Sequence, residues 1–297
     1  MASAATAPER TTSKLSRAEG WWARHFIVTE SAYWGLHVAC LLGLWVTPGA
    51  GDLALLAVTF FGRMFGITAG YHRYFAHRTF KTSRGFQLLL ALLGCSAIQK
   101  GPLWWPGHHR SHHAHADQPG LDLHSPVEGL WYAHQGWVFD RRWDATPLDG
   151  IRDFARYPEL VWLNRWHPVP GILLAAACYA IGGLSGLIWG FVVSTVILWH
   201  ATYTINSLAH VWGSRRYDTP DTSRNNPWLA LLTMGEGWHN NHHHYCASTR
   251  QGFRWWEIDA TYYLLRGFQA LGLIWDIREP PAHVVRGESR ATLRDAA

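Results

Sequence analysis

The chain has 297 residues, of which 48% are hydrophobic, 14% aromatic and only 16% charged. That balance excludes an intrinsically disordered chain, which needs few apolar residues and much charge. The formal charge of +5 is not gathered into a Lys/Arg run, which argues against a nucleic-acid partner.

The opening MASAATAPERTTSKLSRAEG has no apolar core and no cleavage pattern, so residues 1–24 read as a polar tail and not as a signal peptide. Four apolar runs follow as candidate membrane spans: 31–47, 53–70, 168–182 and 184–205. The last easily meets the roughly 20 residues a crossing helix needs, and the others sit near the short limit. Pro48 to Asp52 links the first pair and Gly182–Gly183 the second. Links this short predict two helical hairpins. Neither link carries Lys or Arg, whereas the opposite ends carry Lys14, Arg17, Arg24, Arg73, Arg78, Lys81, Arg84, Arg152, Arg156, Arg165, Arg215 and Arg216. By the positive-inside rule both hairpins enter from and return to the cytoplasm. Arg63 falls inside the second run, where a charge is costly, and is expected to snorkel or pair. A fifth run, Gly85 to Gln99, has only 15 residues. It reads as a helix buried in the cytoplasmic part or lying at the interface. The run from Ile258 to Trp275 has helical spacing and is expected to pack on that part. Residues 280–297 read as a disordered tail. The four cysteines are far apart with no CxxC pair, which excludes a zinc ribbon or redox dithiol.

The 19 histidines are not scattered. They fall in HRYFAH (His72, His77), HHRSHH (His109, His112, His113), NSLAH (Asn206, His210) and HNNHHH (His239, His242, His243), all at cytoplasmic ends or segments of the derived topology. On an α-helix, positions i, i+3 and i+4 share a face, so each HxxHH can converge on one locus. His72 and His77 lie about 140° apart around an α-helix, which predicts that they touch different ions. Nine imidazoles and one amide are too many for one metal. Structural zinc takes four ligands, usually with cysteine, and none is present in the clusters. Imidazole suits iron, zinc, copper and nickel; two five-ligand iron centres with an open position form the natural arrangement. His108, His115, His134 and His244 lie beside the clusters and read as supporting or solvent-facing.

These motifs, with GITAGYHR before them and GFRWWEID after, resemble the membrane fatty-acyl desaturases of the stearoyl-CoA (delta-9) type. The resemblance covers roughly Ala54 to Asp276. It implies an all-α integral membrane protein: four transmembrane helices in two hairpins, with a cytoplasmic helical cap (71–167 and 206–279) holding a diiron centre, all within one domain over 25–279. It implies that one iron is held by His72, His113, His210, His239 and His243. The other is held by His77, His109, His112 and His242, with Asn206 reaching it through a water. It also places Gln99, Trp105, Thr202 and Tyr203 at the bend of a substrate tunnel. The implied reaction is O2-dependent removal of two hydrogens from adjacent carbons of a saturated acyl chain, giving a cis double bond.

Animal members carry an Arg-Asp pair, which helps hold the CoA head group, where this sequence has Gly107 and His108. The carrier therefore stays open between CoA, acyl-carrier protein and phospholipid. No GxGxxG fingerprint and no iron–sulfur cysteine cluster is present. Electrons are expected from a separate protein such as ferredoxin, rubredoxin or cytochrome b5 with an NAD(P)H reductase. The alternatives are a hydroxylase or alkane monooxygenase with the same type of site and, from another class, a haem-carrying membrane electron-transfer protein or metal transporter.

Overall fold

A computed structural model describes residues 26–288, so the predicted tail over 1–24 lies outside the described residues. All four apolar runs are helical. Helix α1 (Phe26–Ala39) tightens into a 3-10 segment at Cys40–Leu44, starting before the expected 31 and ending before 47. Helix α2 (Ala50–Phe65) continues without a break as a π-helix over Gly66–Ala76. Its start is fixed by the Gly49 N–H, which donates to Asp52 Oδ2 at 2.9 Å.

Two stretches are long and apolar enough to cross a membrane, Ala50–Ala76 and Val169–Val211. The second is not one rod. Helix α6 (Val169–Leu187) leaves helical geometry at Gly182 and at Gly183, where φ is +59°. Only glycine takes that conformation without strain, so the chain reverses there, where the sequence places a hairpin link. The returning arm runs through a π segment, Ile188–Val193, into α7 (Ser194–Asn206) and the short α8 (Leu208–Val211). The arms pack tightly: a Cβ on Gly186 would lie 2.5 Å from the Cys178 carbonyl oxygen. Asp52 joins the two hairpin tips, accepting from Ser185 Oγ at 2.7 Å. Leu44, Trp45, Val58, Ile172, Leu173 and Ile181 stay exposed, the pattern of a surface that faces lipid rather than water.

Arg63 is 2% exposed. Its Nε donates to Thr59 O at 2.9 Å and Nη1 to Thr195 Oγ1 at 2.6 Å, with Ser194 Oγ accepting from Nη2. It pairs with hydroxyls of the opposite hairpin and does not snorkel.

The fifth run forms α3 (Arg84–Ser96), capped by Ser83 Oγ, which accepts from the Phe86 N–H. Its buried side, including Leu90, Gly94 and Cys95, lies on the π-helix. Contact there is close enough to require small residues: a Cβ on Gly66 would lie 2.5 Å from the Leu93 backbone. Helix α4 (Trp104–His115) begins where Asn164 Oδ1, on α5 (Pro158–Arg165), accepts from the Leu103 and Trp104 N–H groups at 3.1 and 2.9 Å. Helices α9 (Pro227–Leu232) and α10 (His239–His244) complete this part. One apolar core, with Met64, Phe75, Leu90, Leu163, Leu198 and Leu265, runs from the stalk into it.

Two expectations are corrected. The C-terminal run is helical only over α11 (Ala260–Ala270). Gly272 takes φ +70°, and β2 (Ile274–Trp275) then pairs antiparallel with β1 (Lys81–Thr82), so the described residues are not purely helical. Residues 282–286 of the expected disordered tail form a helix whose Val284 packs on Tyr217 and Phe253; 289–297 lie outside the described residues.

The Gly66 contact is testable. Gly66→Ala is expected to destabilise by about 1–3 kcal/mol through overpacking. Gly62→Ala, where a Cβ meets nothing within 4 Å, is expected to be neutral or stabilising by up to about 1 kcal/mol. Thermal unfolding of both variants in one detergent checks the difference.

Candidate metal centre

The four histidine motifs meet beneath the helical stalk. Their ring nitrogens form two groups, each with all ligand atoms within 4.8 Å of one another: His72, His77, His109, His113 and His242; and His112, His210, His239 and His243. The two groups adjoin, with the His113 and His243 rings 4.5 Å apart.

This division differs from the one the resemblance implies. His72 and His77 stand in one group because their segment is a π-helix, not an α-helix. A π-helix closes its hydrogen bonds over five residues, as His77 N–H to His72 O does at 3.1 Å. Residues five apart therefore return to one face, and the two rings lie 4.9 Å apart. Each HxxHH also divides instead of converging. On α4, His109 and His113 join one group and His112 the other. On α10, His239 and His243 join one and His242 the other. Positions i and i+4 lie about 40° apart on a helix, whereas i+3 lies on the far side of i, so one short helix serves both groups.

Within the five-membered group the Nε2 atoms approach in series: His72 to His242 at 2.9 Å, His242 to His113 at 2.9 Å, His113 to His109 at 3.1 Å and His109 to His77 at 3.0 Å. Imidazole nitrogens bound about 2.1 Å from a metal, at right angles to one another, would stand about 3.0 Å apart. The arrangement matches ligands around an ion.

Carboxylates fix the tautomers. Nδ1–H of His112 donates to Asp122 at 2.8 Å and Nδ1–H of His243 to Asp221 at 2.8 Å. His72 Nδ1 pairs with Glu236, and His210 Nδ1 lies 3.4 Å from Asp117 and 3.1 Å from Thr222 Oγ1. A carboxylate only accepts, so the other nitrogen of each ring is left with a lone pair aimed at the group. His243 Nε2 is buried with no hydrogen-bond partner, an orphaned lone pair that a cation would satisfy. Burial, then the neighbouring imidazoles, hold His77, His109, His113, His239 and His242 well below the usual imidazole range. Burial brings His243 down to about 4 against the opposing pull of Asp221. The neutral form is the one that binds metal. Burial would push the Asp117 carboxyl up, but bonds from His210 and Thr222 outweigh it and hold it at about 2. The donor set fits two transition-metal ions.

The sequence model of the fatty acid desaturase family matches residues 45–276. The chain belongs to that family. An sn-2 palmitoyl-lipid 9-desaturase of Nostoc sp. (strain 36) is 36% identical over 84% of this chain and 90% of the relative. Delta-9 acyl-lipid desaturase 1 of Arabidopsis thaliana is 38% identical over 93% and 91% respectively. An acyl-CoA C20 Delta5-desaturase of Anemone leveillei is 37% identical over 83% and 80%. The chain is thus an oxidoreductase of the desaturase family, and its apolar helices and histidine groups fit membrane association and metal binding.

The other candidate residues of this desaturase fall in different places. Gln99 and Tyr203 line an apolar cavity of about 370 Å³ together with Tyr33, Ile98, Trp137, Phe191 and Trp199. Thr202 adjoins it, its Oγ1 accepting from Gln99 Nε2 at 2.8 Å. Trp105 does not line the cavity; it stacks on His109 at 4.9 Å. Asn206 ends α7, one turn before His210. His244 stacks on Tyr217 at 4.0 Å, away from both groups. His108 Nε2 lies 3.0 Å from Ala145 O, and a Cβ on Gly107 would lie 2.9 Å from Pro147.

Sequence reasoning missed the four orienting carboxylates. Glu236 lies three residues before His239, just outside HNNHHH, and the other three lie in loops after α4 and α8. Asp221→Asn is expected to lower metal retention about 10- to 100-fold, whereas His244→Ala retains the full complement. Metal content of the purified variants after mild chelation checks both.

Proposed function

We propose that this chain is an O2-dependent acyl desaturase that introduces a cis double bond, at the delta-9 position, into a saturated acyl chain. Two irons would be held by His72, His77, His109, His112, His113, His210, His239, His242 and His243, with Asn206 contributing through a water. The observation that carries the reading is the juxtaposition of two adjoining all-imidazole groups with an apolar cavity. Trp137 links the two: it lines the cavity and lies 5.8 Å from His124, whose ring is 4.5 Å from the His112 ring.

Such a metal pair supplies, when bound, the redox chemistry that reduces O2 and withdraws hydrogen from an unactivated C–H bond. The protein's share is positional. An alkyl chain offers no polar handle, so Tyr33, Ile98, Phe191 and Trp199 hold it by shape and exclude water. The Gln99–Thr202 hydrogen bond gives the wall a fixed polar point beside Tyr203, one turn from Asn206. Gly107 and His108 are buried against Pro147 and Ala145. This supports a lipid-bound acyl chain in preference to acyl-CoA, because the positions of the head-group pair are closed. Four spans in two hairpins with a cytoplasmic cap would put the site beside the cytoplasmic membrane face. The electron donor, a ferredoxin, rubredoxin or cytochrome b5 with its NAD(P)H reductase, would dock there.

Expression in a host that lacks the activity is expected to add monounsaturated acyl species that have lost two hydrogens. The purified protein is expected to hold two irons per chain. His242→Ala is expected to abolish the new species and to lower iron content. Products that instead gain one oxygen would replace the reading with a hydroxylase, and an intense haem absorption band would replace it with electron transfer.

A further inference from the structure

The apolar cavity lies between two stalk helices that rest on different supports. Helix α1 rests on α7 and on the turn at Gly136–Phe139: Tyr33 stacks on Trp199 at 4.9 Å and Trp34 on Phe139 at 5.6 Å. Helix α6 rests on the turn after α3, so closely that a Cβ on Gly171 would lie 2.6 Å from Ile98 Cγ1. The space left between them is the cavity, with Ala32 and Leu36 contributed by α1, Ile172 by α6, and Ile98, Phe191 and Trp199 lining the interior. Ala32 and Ile172 belong to this wall, yet both are exposed, Ile172 to 56%. A side chain that is part of both the inner wall and the outer surface marks an opening. Its neighbours on the outside, Trp34, Val38 and Leu173, are exposed and apolar, so the opening gives onto the surface that faces lipid. Trp162 and Trp166, just before α6, are exposed as well and stand where an interfacial aromatic belt is expected.

The cavity is polar at one end only. Glu30, Lys100 and His167 line it near the cap, where α1 and α6 begin. Leu36 lies about 9 Å further along α1 than Glu30, at 1.5 Å per residue. Lys100 Nζ lies over the Trp104 ring at 5.4 Å and pairs with Asp144 only at 3.5 Å. His167 Nδ1 is buried with no hydrogen-bond partner. Lys100 is tied to the wall that leads to the metal groups: its carbonyl accepts from the Tyr71 hydroxyl at 3.1 Å, and the preceding Gln99 bonds Thr202. An ester linkage carries only acceptors. An ammonium and a buried imidazole N–H at the cap end are the donors it needs, and the alkyl chain beyond it would meet Leu36, Phe191 and Trp199.

We propose that the opening between α1 and α6 is a side entrance, through which an acyl chain still esterified to a membrane glycerolipid slides into the cavity from the bilayer while Lys100 and His167 hold its ester group. This rests on the desaturase reading and deepens it: the substrate is a lipid that never leaves the membrane, and the ester anchor fixes which carbons lie beside the metal groups.

The test uses the full chain in phosphatidylcholine nanodiscs doped with a palmitoyl phosphatidylcholine that carries a mid-chain diazirine. After irradiation, mass spectrometry is expected to find adducts inside the cavity, on Ile98, Phe191 or Trp199, besides those on the exposed Ile181. Ala32→Trp and Ile172→Trp are expected to lower the inner adducts about 10-fold, the scale of a steric misfit, with the Ile181 adducts unchanged as the check on folding. Leu173→Trp, beside the opening but outside the cavity, is expected to keep the inner adducts. Lys100→Met is expected to spread them over further wall residues, because the register of the chain is no longer fixed; unchanged positions in that variant overturn the ester anchor. Adducts on Ile181 with none inside overturn the entrance, as do undiminished inner adducts in both tryptophan variants. Inner adducts obtained only from palmitoyl-CoA bearing the same diazirine overturn it too, and leave the desaturase reading standing. Inner adducts from the lipid, in a protein that unsaturates no acyl chain, establish the entrance and remove the desaturase reading.

Discussion

The structure turns on a cost. Nine imidazole rings are drawn into two adjoining groups where most of their nitrogens are out of water. Lone pairs that face one another at about 3 Å repel unless a proton or a cation lies between them. Burial and mutual repulsion oppose protonation here, so cations are what can make this packing favourable. Much of the surrounding architecture serves to keep neutral rings aimed inward until metal arrives.

Two helical devices solve the geometry. The π-helix at Gly66–Ala76 brings His72 and His77 to one face, although their spacing would separate them on an α-helix. Helices α4 and α10 each present their i and i+4 histidines to one group and the i+3 histidine to the other. Each short helix thereby ties the groups together. The separation between the two sites is then a property of two rigid helices and not of loop conformation.

Much of this was legible in the sequence. The apolar runs, the Gly182–Gly183 reversal and all nine histidines could be read because hydropathy, turn chemistry and ligand spacing are local signals. What could not be read depended on departures from local rules. The π-helix leaves no mark in GITAGYHRYFA that distinguishes it from an α-helix; packing of Gly66 and Gly94 against α3 and Tyr71 accompanies it in space only. The division of His112 from His113 follows from where four elements meet. Asp117, Asp122 and Asp221 carried no motif, since an acid in a loop is ordinary until a histidine ring is seen against it.

The support around His72 shows how far such orientation extends. Its Nδ1 pairs with Glu236, which is itself held by Arg73 at 3.0 Å and by Gln251 Nε2 at 3.2 Å. Arg73 also donates to Asp259 at 2.9 Å and to Thr249 O at 2.9 Å. Asp259 accepts from the Gln251 N–H at 2.7 Å and from the Tyr262 N–H at 3.0 Å, capping α11. One ring is thus oriented by side chains from the π-helix, the Glu236 turn, the 249–251 loop and α11. A buried Arg–Glu–Asp set gives little net stability by itself, because desolvation offsets its Coulomb gain. Its contribution is directional: it fixes Glu236, Glu236 fixes the tautomer of His72, and the lone pair on Nε2 is committed to the metal group before any metal binds.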